Sequence, residues 1–299
     1  MNSKINKKWL LIICGILLAI VFVLFGCSSC IKRGAIREEA FLKTSEDAKK
    51  FAEVKQDGKT PAVLLLHGFC GSPYDYAPLI AELEKNGIAF EAVLMHGHGT
   101  SPLNMEDVKY TQWLEKAYSS FDNMKQKYGK VTIVGFSMGG AMATCLAADK
   151  DVEKILLIAP YYRVTSKWYY FGPVEEWNSR LSGIIPWVKK PLIGQINDPE
   201  GLKRYFAYRR FPTSSVLELD KLGKLAMEKA KDVRCEVLVL HSAGDIAADL
   251  GTCEKVVATM PSEKKQIIEY TKSNHVIFYD YDSKDAVRKS MEYLTKGVK

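Results

Sequence analysis

Metal-binding signatures are missing from this chain: it has no H-E-x-x-H, no paired-cysteine spacing and no cluster of carboxylates, the arrangements that hold zinc. A phosphate loop and a dinucleotide fingerprint are absent as well, so no cofactor is expected. No internal repeat, low-complexity tract or Gly/Pro/Ser-rich linker interrupts the 299 residues, which excludes solenoids and points to one domain with an insertion. Strong charge of one sign is also lacking. The formal charge is +7, and removing Lys4, Lys7 and Lys8, which precede an apolar run, leaves +4; this is no nucleic-acid footprint. Cysteines number seven. With Cys14 inside the apolar run and Cys27 at its end, the remainder, Cys30, Cys70, Cys145, Cys235 and Cys253, is odd and argues against a complete disulfide framework. The 47% hydrophobic and 26% charged composition excludes disorder and suffices for one large core.

A long hydrophobic run is present, at the N-terminus. Lys4, Lys7 and Lys8 precede an unbroken apolar stretch from Trp9 to Phe25 that ends at Gly26-Cys27. Residues 1–26 read as a signal peptide or a membrane anchor, with the basic end held in the cytoplasm. Leu24-Phe25-Gly26-Cys27 resembles a bacterial lipobox, in which cleavage before the cysteine precedes lipidation of its sulfur, although Phe25 is bulkier than is usual there. An uncleaved anchor helix is the alternative. Either places the rest of the chain outside the cytoplasmic membrane, tethered to it, with residues 27–58 as the tether and one helical stretch near Glu38–Val54.

From residue 59 onward short apolar runs alternate with helical patterns. Ala62–Leu66, Ala89–Leu94, Val131–Val134, Ile155–Ala159, Val237–Leu240 and Gln266–Glu269 have the character of strands, mostly of the kind covered on both faces. Ala77 to Asn86, Thr111 to Tyr128 and Ser283–Lys296 have helical spacing, the first two stopped by Gly87 and Gly129. The βαβα order implies an α/β fold with a mainly parallel central sheet flanked by helices, whose sites form at the carboxyl ends of the strands. Residues 161–232 break the alternation and read as a helical cap, with helix starts at Asp198-Pro199 and Thr213. This segment carries 13 Lys or Arg against 8 Asp or Glu, and twelve aromatics fall within 161–211. Helical spacing makes most of these aromatics core; Trp168, Trp177 and Trp187 are candidates for an acyl-binding wall.

Gly135-Phe136-Ser137-Met138-Gly139 follows the strand Val131–Val134 directly and opens the small-residue segment Gly140-Ala141-Met142-Ala143. A serine at such a strand-to-helix corner stands free above the sheet, and its flanking glycines avoid clashes with the neighbouring strand and helix. A serine hydroxyl barely ionises at neutral pH, so it needs a general base and a carboxylate to hold that base's tautomer. With this elbow the acid and then the histidine come after the serine in chain order. After Ser137 only His241 and His275 remain, and His241 precedes the best acid, leaving His275. Asp245 lies just past a strand where Gly244 permits a turn; Asp249 is the alternative acid, its other role being a helix cap. Two backbone N–H groups must meet the developing oxyanion. Met138 is next after the nucleophile, and Phe69 lies in the loop His67-Gly68-Phe69-Cys70-Gly71 after the first apolar strand. His67, His96 and His98 read as loop-shaping side chains.

His67-Gly68-Phe69, Gly97-His98-Gly99-Thr100-Ser101, Gly135-Phe136-Ser137-Met138-Gly139-Gly140, Gly244-Asp245 and Ser273-Asn274-His275-Val276 together resemble the α/β-hydrolase superfamily, in particular its bacterial carboxylesterase and monoacylglycerol-lipase-like group, over roughly residues 60–297. The resemblance implies a serine hydrolase with Ser137, Asp245 and His275 as triad, Phe69 and Met138 as oxyanion donors, and residues 161–232 as a cap over an acyl pocket. The expected substrate is a carboxylic ester of small or medium acyl length, monoacylglycerol-like esters included. The alternatives are an amide or peptide hydrolase resembling proline iminopeptidases, an acyltransferase, or a surface binding protein that keeps the fold without turnover. Ile246-Ala247-Ala248 is smaller than the apolar pair that often comes after the acid in this superfamily.

Overall fold

A computed structural model describes residues 23, 25–39, 51–165, 180, 182–189 and 195–296. Its centre is a seven-stranded sheet made of β1 (Val54–Gln56), β2 (Lys59–Leu66), β3 (Ile88–Val93), β4 (Val131–Phe136), β5 (Lys154–Ile158), β8 (Glu236–Ser242) and β9 (Lys265–Tyr270). The strands lie in the order β1-β3-β2-β4-β5-β8-β9. Only the edge strand β1 runs antiparallel to its neighbour; the other adjacent pairs are parallel.

Side chains on a strand point alternately to opposite faces, and this alternation divides the core in two. Leu64, Leu66, Ile133, Ile155, Leu157, Val237 and Val239 face one side. There they meet α2 (Tyr110–Tyr128), α3 (Met138–Asp149), α5 (Thr213–Lys229) and α6 (Leu250–Thr259). Val63, Leu65, Val134, Phe136, Leu156, Ile158, Leu238 and Leu240 face the other, against α1 (Ala77–Lys85) and α7 (Ser283–Thr295). Because both faces are covered, the central strands β2, β4 and β5 carry wholly apolar runs rather than an alternation of apolar and polar residues. Helix α3 is buried from Met138 through Ala147, which explains why it has small residues all round instead of an amphipathic stripe.

Three features depart from expectation. The insertion is not purely helical. Besides α4 (Pro199–Arg204) and α5, it carries an antiparallel ribbon of β6 (Trp187–Lys189) and β7 (Arg210–Pro212). Each strand has only three residues, too few for a period-2 pattern to register. The helical stretch expected near Glu38–Val54 is also displaced: residues 25–39 are helical, 40–50 lie outside the described residues, and Val54 begins a strand. Finally, residues 25–39 do not merely lead to the domain, since Ala35 is fully buried and Ser28 bonds the ribbon through Trp187.

Candidate active site

Ser137 sits between the last residue of β4 and the first of α3, at φ 52° and ψ −113°. A non-glycine residue there costs about 1–3 kcal/mol and persists only where its surroundings enforce it. Enforcement comes from the backbone: Ser137 N–H donates to Ile158 O at 2.9 Å, and Ser137 O accepts Tyr161 N–H at 2.9 Å. The flanking glycines allow the close approach. A Cβ on Gly135 would lie 2.3 Å from Gly139 O, and one on Gly139 would lie 1.7 Å from Leu66 O on β2. The serine is 7% exposed.

His275 and Asp245 meet this serine from the loops after β9 and β8. His275 Nε2 lies 3.0 Å from Ser137 Oγ, and His275 Nδ1 lies 2.8 Å from Asp245 Oδ2. A carboxylate at Nδ1 fixes the proton on that nitrogen and leaves Nε2 free to accept the serine O–H. The other carboxylate oxygen, Asp245 Oδ1, accepts the N–H groups of Ala247 and Ala248 at 2.7 and 2.9 Å. Burial pushes the Asp245 carboxyl up, but the neighbouring His275, His241 and the Ala248 N–H together bring it below its ordinary value, so it is ionised at neutral pH. Asp249 is elsewhere engaged, accepting Thr252 N–H at 2.7 Å as the N-cap of α6.

Asn274 is a site residue that sequence reasoning did not single out. Its Oδ1 accepts His275 N–H at 2.9 Å and Ile246 N–H at 3.2 Å, and Ser242 Oγ donates to Asn274 O at 2.9 Å. The acid loop and the histidine loop are thereby tied together. Asp280 supports the same loop by accepting Asn274 N–H at 2.8 Å. The signal available was Asn274's place beside the histidine in Ser273-Asn274-His275; its partner in the Asp245 loop is invisible in sequence.

The loop after β2 presents the Gly68–Phe69 peptide. Met95 N–H donates to His67 Nε2 at 3.0 Å, so the ring proton is on Nδ1, which donates to Gly68 O at 2.9 Å. Gly71 N–H donates to the same carbonyl at 3.0 Å. Because a trans peptide is planar, pinning Gly68 C=O from two directions sets the opposite direction of Phe69 N–H. Met138, the first residue of α3, has no acceptor for its N–H within the helix and lies at the positive end of the helix dipole. Burial drives His67 well below its usual value, with His98 adding to the effect, so it holds the loop as a neutral ring.

Of the three aromatic candidates, Trp187 falls among the described residues. Trp168 and Trp177 lie outside the described residues. Trp187, expected in an acyl-binding wall, is 2% exposed, with its indole N–H donated to Glu106 at 2.9 Å and its backbone N–H to Ser28 Oγ at 2.8 Å. It fastens residues 25–39 to the ribbon; aromatic content alone does not reveal direction. Cys27 is exposed within the helical residues 25–39, and none of the six described cysteines is joined in a disulfide.

Comparison with known proteins agrees with this architecture. The thermostable monoacylglycerol lipase of Bacillus sp. (strain H-257) is 26% identical over 235 residues, spanning 78% of this chain and 90% of that protein. The carboxylesterase of Bacillus subtilis (strain 168) is 21% identical over 243 residues, 80% of this chain and 94% of that one. Among solved structures, the monoacylglycerol lipase of Paleococcus ferrophilus superposes with a TM-score of 0.69 at 22% identity, covering 82% of this chain and 98% of its own. Residues 58–282 match the family described as serine aminopeptidase, S33, and the chain therefore belongs to that family, as a hydrolase of the α/β-hydrolase fold.

Proposed function

We propose that this protein is a membrane-tethered serine esterase that cleaves carboxylic esters of the monoacylglycerol type through an acyl-serine intermediate. The observation that carries the reading is the continuous hydrogen-bonded path Ser137–His275–Asp245, at 3.0 and 2.8 Å. His275 Nε2 takes the Ser137 Oγ proton as Oγ bonds to the ester carbonyl carbon, while Asp245 stabilises the imidazolium. The carbonyl oxygen becomes an oxyanion facing the N–H groups of Phe69 and Met138, each such donor being worth about 10² to 10³ in rate. Collapse breaks the ester C–O bond as His275 passes its proton to the leaving alcohol. Water, deprotonated by His275, then attacks the acyl carbon, and Ser137 leaves with the proton returned to it.

The names of the Bacillus relatives, a monoacylglycerol lipase and a carboxylesterase, support the ester over the amide. The family's own description as a serine aminopeptidase favours the second reading, amide hydrolysis by the same residues. A fluorophosphonate probe should label the wild-type chain and not Ser137→Ala; a folded wild type that stays unlabelled would sink the enzymatic mechanism. Turnover of matched esters and amides of one acyl group then separates the readings. The tether rests on the basic-then-apolar leader and on exposed Cys27, with lipidated cysteine or retained anchor distinguished by mass spectrometry of the native N-terminus.

A further inference from the structure

The loop that presents Phe69 N–H is held from outside the catalytic core. Asp75, 2% exposed, accepts Gly68 N–H at 2.9 Å through Oδ2, and its Oδ1 accepts the hydroxyl of Tyr205 at 3.1 Å. Three residues on, Tyr208 N–H donates to Cys70 O at 2.9 Å. Cys70 N–H donates to His98 Nε2 at 3.2 Å, and the Tyr208 ring stacks on His98 at 6.3 Å and 5°. Cys70 itself stands at φ 67°, a backbone state that needs such outside support. Beneath the loop, Cys70, Tyr208, Phe51 and Met105 form a small apolar cluster of their own, with Phe69 and Phe211 packed on it.

This strut is itself braced. Glu38 accepts Arg209 N–H at 2.9 Å and pairs with the Arg210 guanidinium at 3.1 Å. Earlier in the same helical residues, Lys32 pairs with Glu106 at 2.7 Å, the carboxylate that also receives the Trp187 indole N–H. Both strands of the β6–β7 ribbon are therefore fastened to residues 25–39, directly after Cys27.

From these contacts we infer that Tyr205 and Tyr208 are positioning residues for the oxyanion donor Phe69 N–H, and that the helical residues 25–39 buttress them. The segment joining the protein to its tether is thus part of the apparatus that holds the oxyanion loop. This rests on the Ser137 ester-hydrolase reading, which the experiment keeps separate. In the full-length chain, Tyr205→Phe removes one hydroxyl from Asp75 and should lower kcat about 3- to 10-fold with KM within about twofold, the size expected for one hydrogen bond acting in the transition state. The inhibition constant of a trifluoromethyl ketone, which forms a hemiketal oxyanion on serine, should rise by the same factor. Hydrogen exchange of the amides at 67–71, which needs no turnover, should accelerate in Tyr205→Phe, in Tyr208→Leu, which takes the ring off His98, and, less, in the remote Glu38→Gln. It should accelerate equally in a Ser137→Ala background. Unchanged exchange in all three variants, or a loss carried by KM alone, overturns the inference; a wild type with no turnover overturns the ester reading and leaves exchange to decide the strut.

Discussion

The carboxyl edge of the sheet and the junction between insertion and helical residues 25–39 are built by opposite means. At the edge, Ser137, Asp245 and His275 come after strand ends within a few residues, and much of what orients them is backbone: Ile158 O and Tyr161 N–H for the serine, Ala247 and Ala248 N–H for the aspartate. At the junction, ordering comes mostly from side chains far apart in the chain, Ser28 with Trp187 and Glu38 with Arg210, separated by 159 and 172 positions. An edge made of backbone tolerates few substitutions and yields large effects. A junction made of separate side-chain bonds yields graded ones, each near the worth of one hydrogen bond.

The sharpest break of this contrast is His275→Ala, which should reduce ester turnover about 10⁶-fold with folding intact, as removal of a triad base does elsewhere. A loss below tenfold in steady-state kinetics removes His275 as base. Asp245→Asn should cost about 10⁴-fold in kcat, because an amide at Nδ1 stabilises the wrong tautomer. The same Asn variant should keep its circular dichroism spectrum and its fluorophosphonate-binding pocket, with labelling slowed rather than abolished.

Legibility in the sequence divides along the same line. The seven-strand core apart from β1, and the strand-to-helix corner at Ser137, are legible because apolar runs and flanking glycines are local signals. The neighbourhood of Asp245 and His275 is set by chain order and by their places after β8 and β9. The three-residue strands β1, β6 and β7 leave no period to detect, and the helix that starts at Pro199 stops at Arg204, so Tyr205 and Phe206 lie beyond it. Asp75 stands in Ser72-Pro73-Tyr74-Asp75 as an ordinary turn-and-helix residue; nothing local distinguishes it from a solvated carboxylate. Trp187 was visible as an aromatic but not as a residue aimed at Glu106.

His67, whose ring lies 4.9 Å from that of His98, gives a pH test of intermediate size. Buried and held well below its usual 6.5, it stays neutral in the folded state while the unfolded chain gains a proton below about pH 6.5. The unfolded state then binds more protons, so stability is complete above that pH and falls as pH drops toward the lower folded value, by up to about 1.4 kcal/mol per unit for this group. His241, also lowered, first by burial, adds in the same direction. Urea midpoints from pH 7.5 to 5 should decline in the wild type, and the gap to His67→Gln should narrow as pH falls. A constant gap would mean that His67 takes up its proton equally in the folded and unfolded states.

Asp249→Ala tests the smallest effect and bears most directly on how the edge is assigned. Asp249 caps α6, its Oδ1 accepting Thr252 N–H at 2.7 Å and the Thr252 hydroxyl at 2.6 Å, so the alanine variant should lose about 1 kcal/mol of stability, the usual worth of an N-cap. Its kcat should stay within about twofold of wild type, since the carboxylate on His275 Nδ1 belongs to Asp245. Two acids four residues apart thus predict opposite signatures: rate without stability at 245, and stability without rate at 249. A large kcat loss in Asp249→Ala, beside a mild one in Asp245→Asn, would transfer the acid's role to Asp249 and require the loop after β8 to turn differently about Gly244.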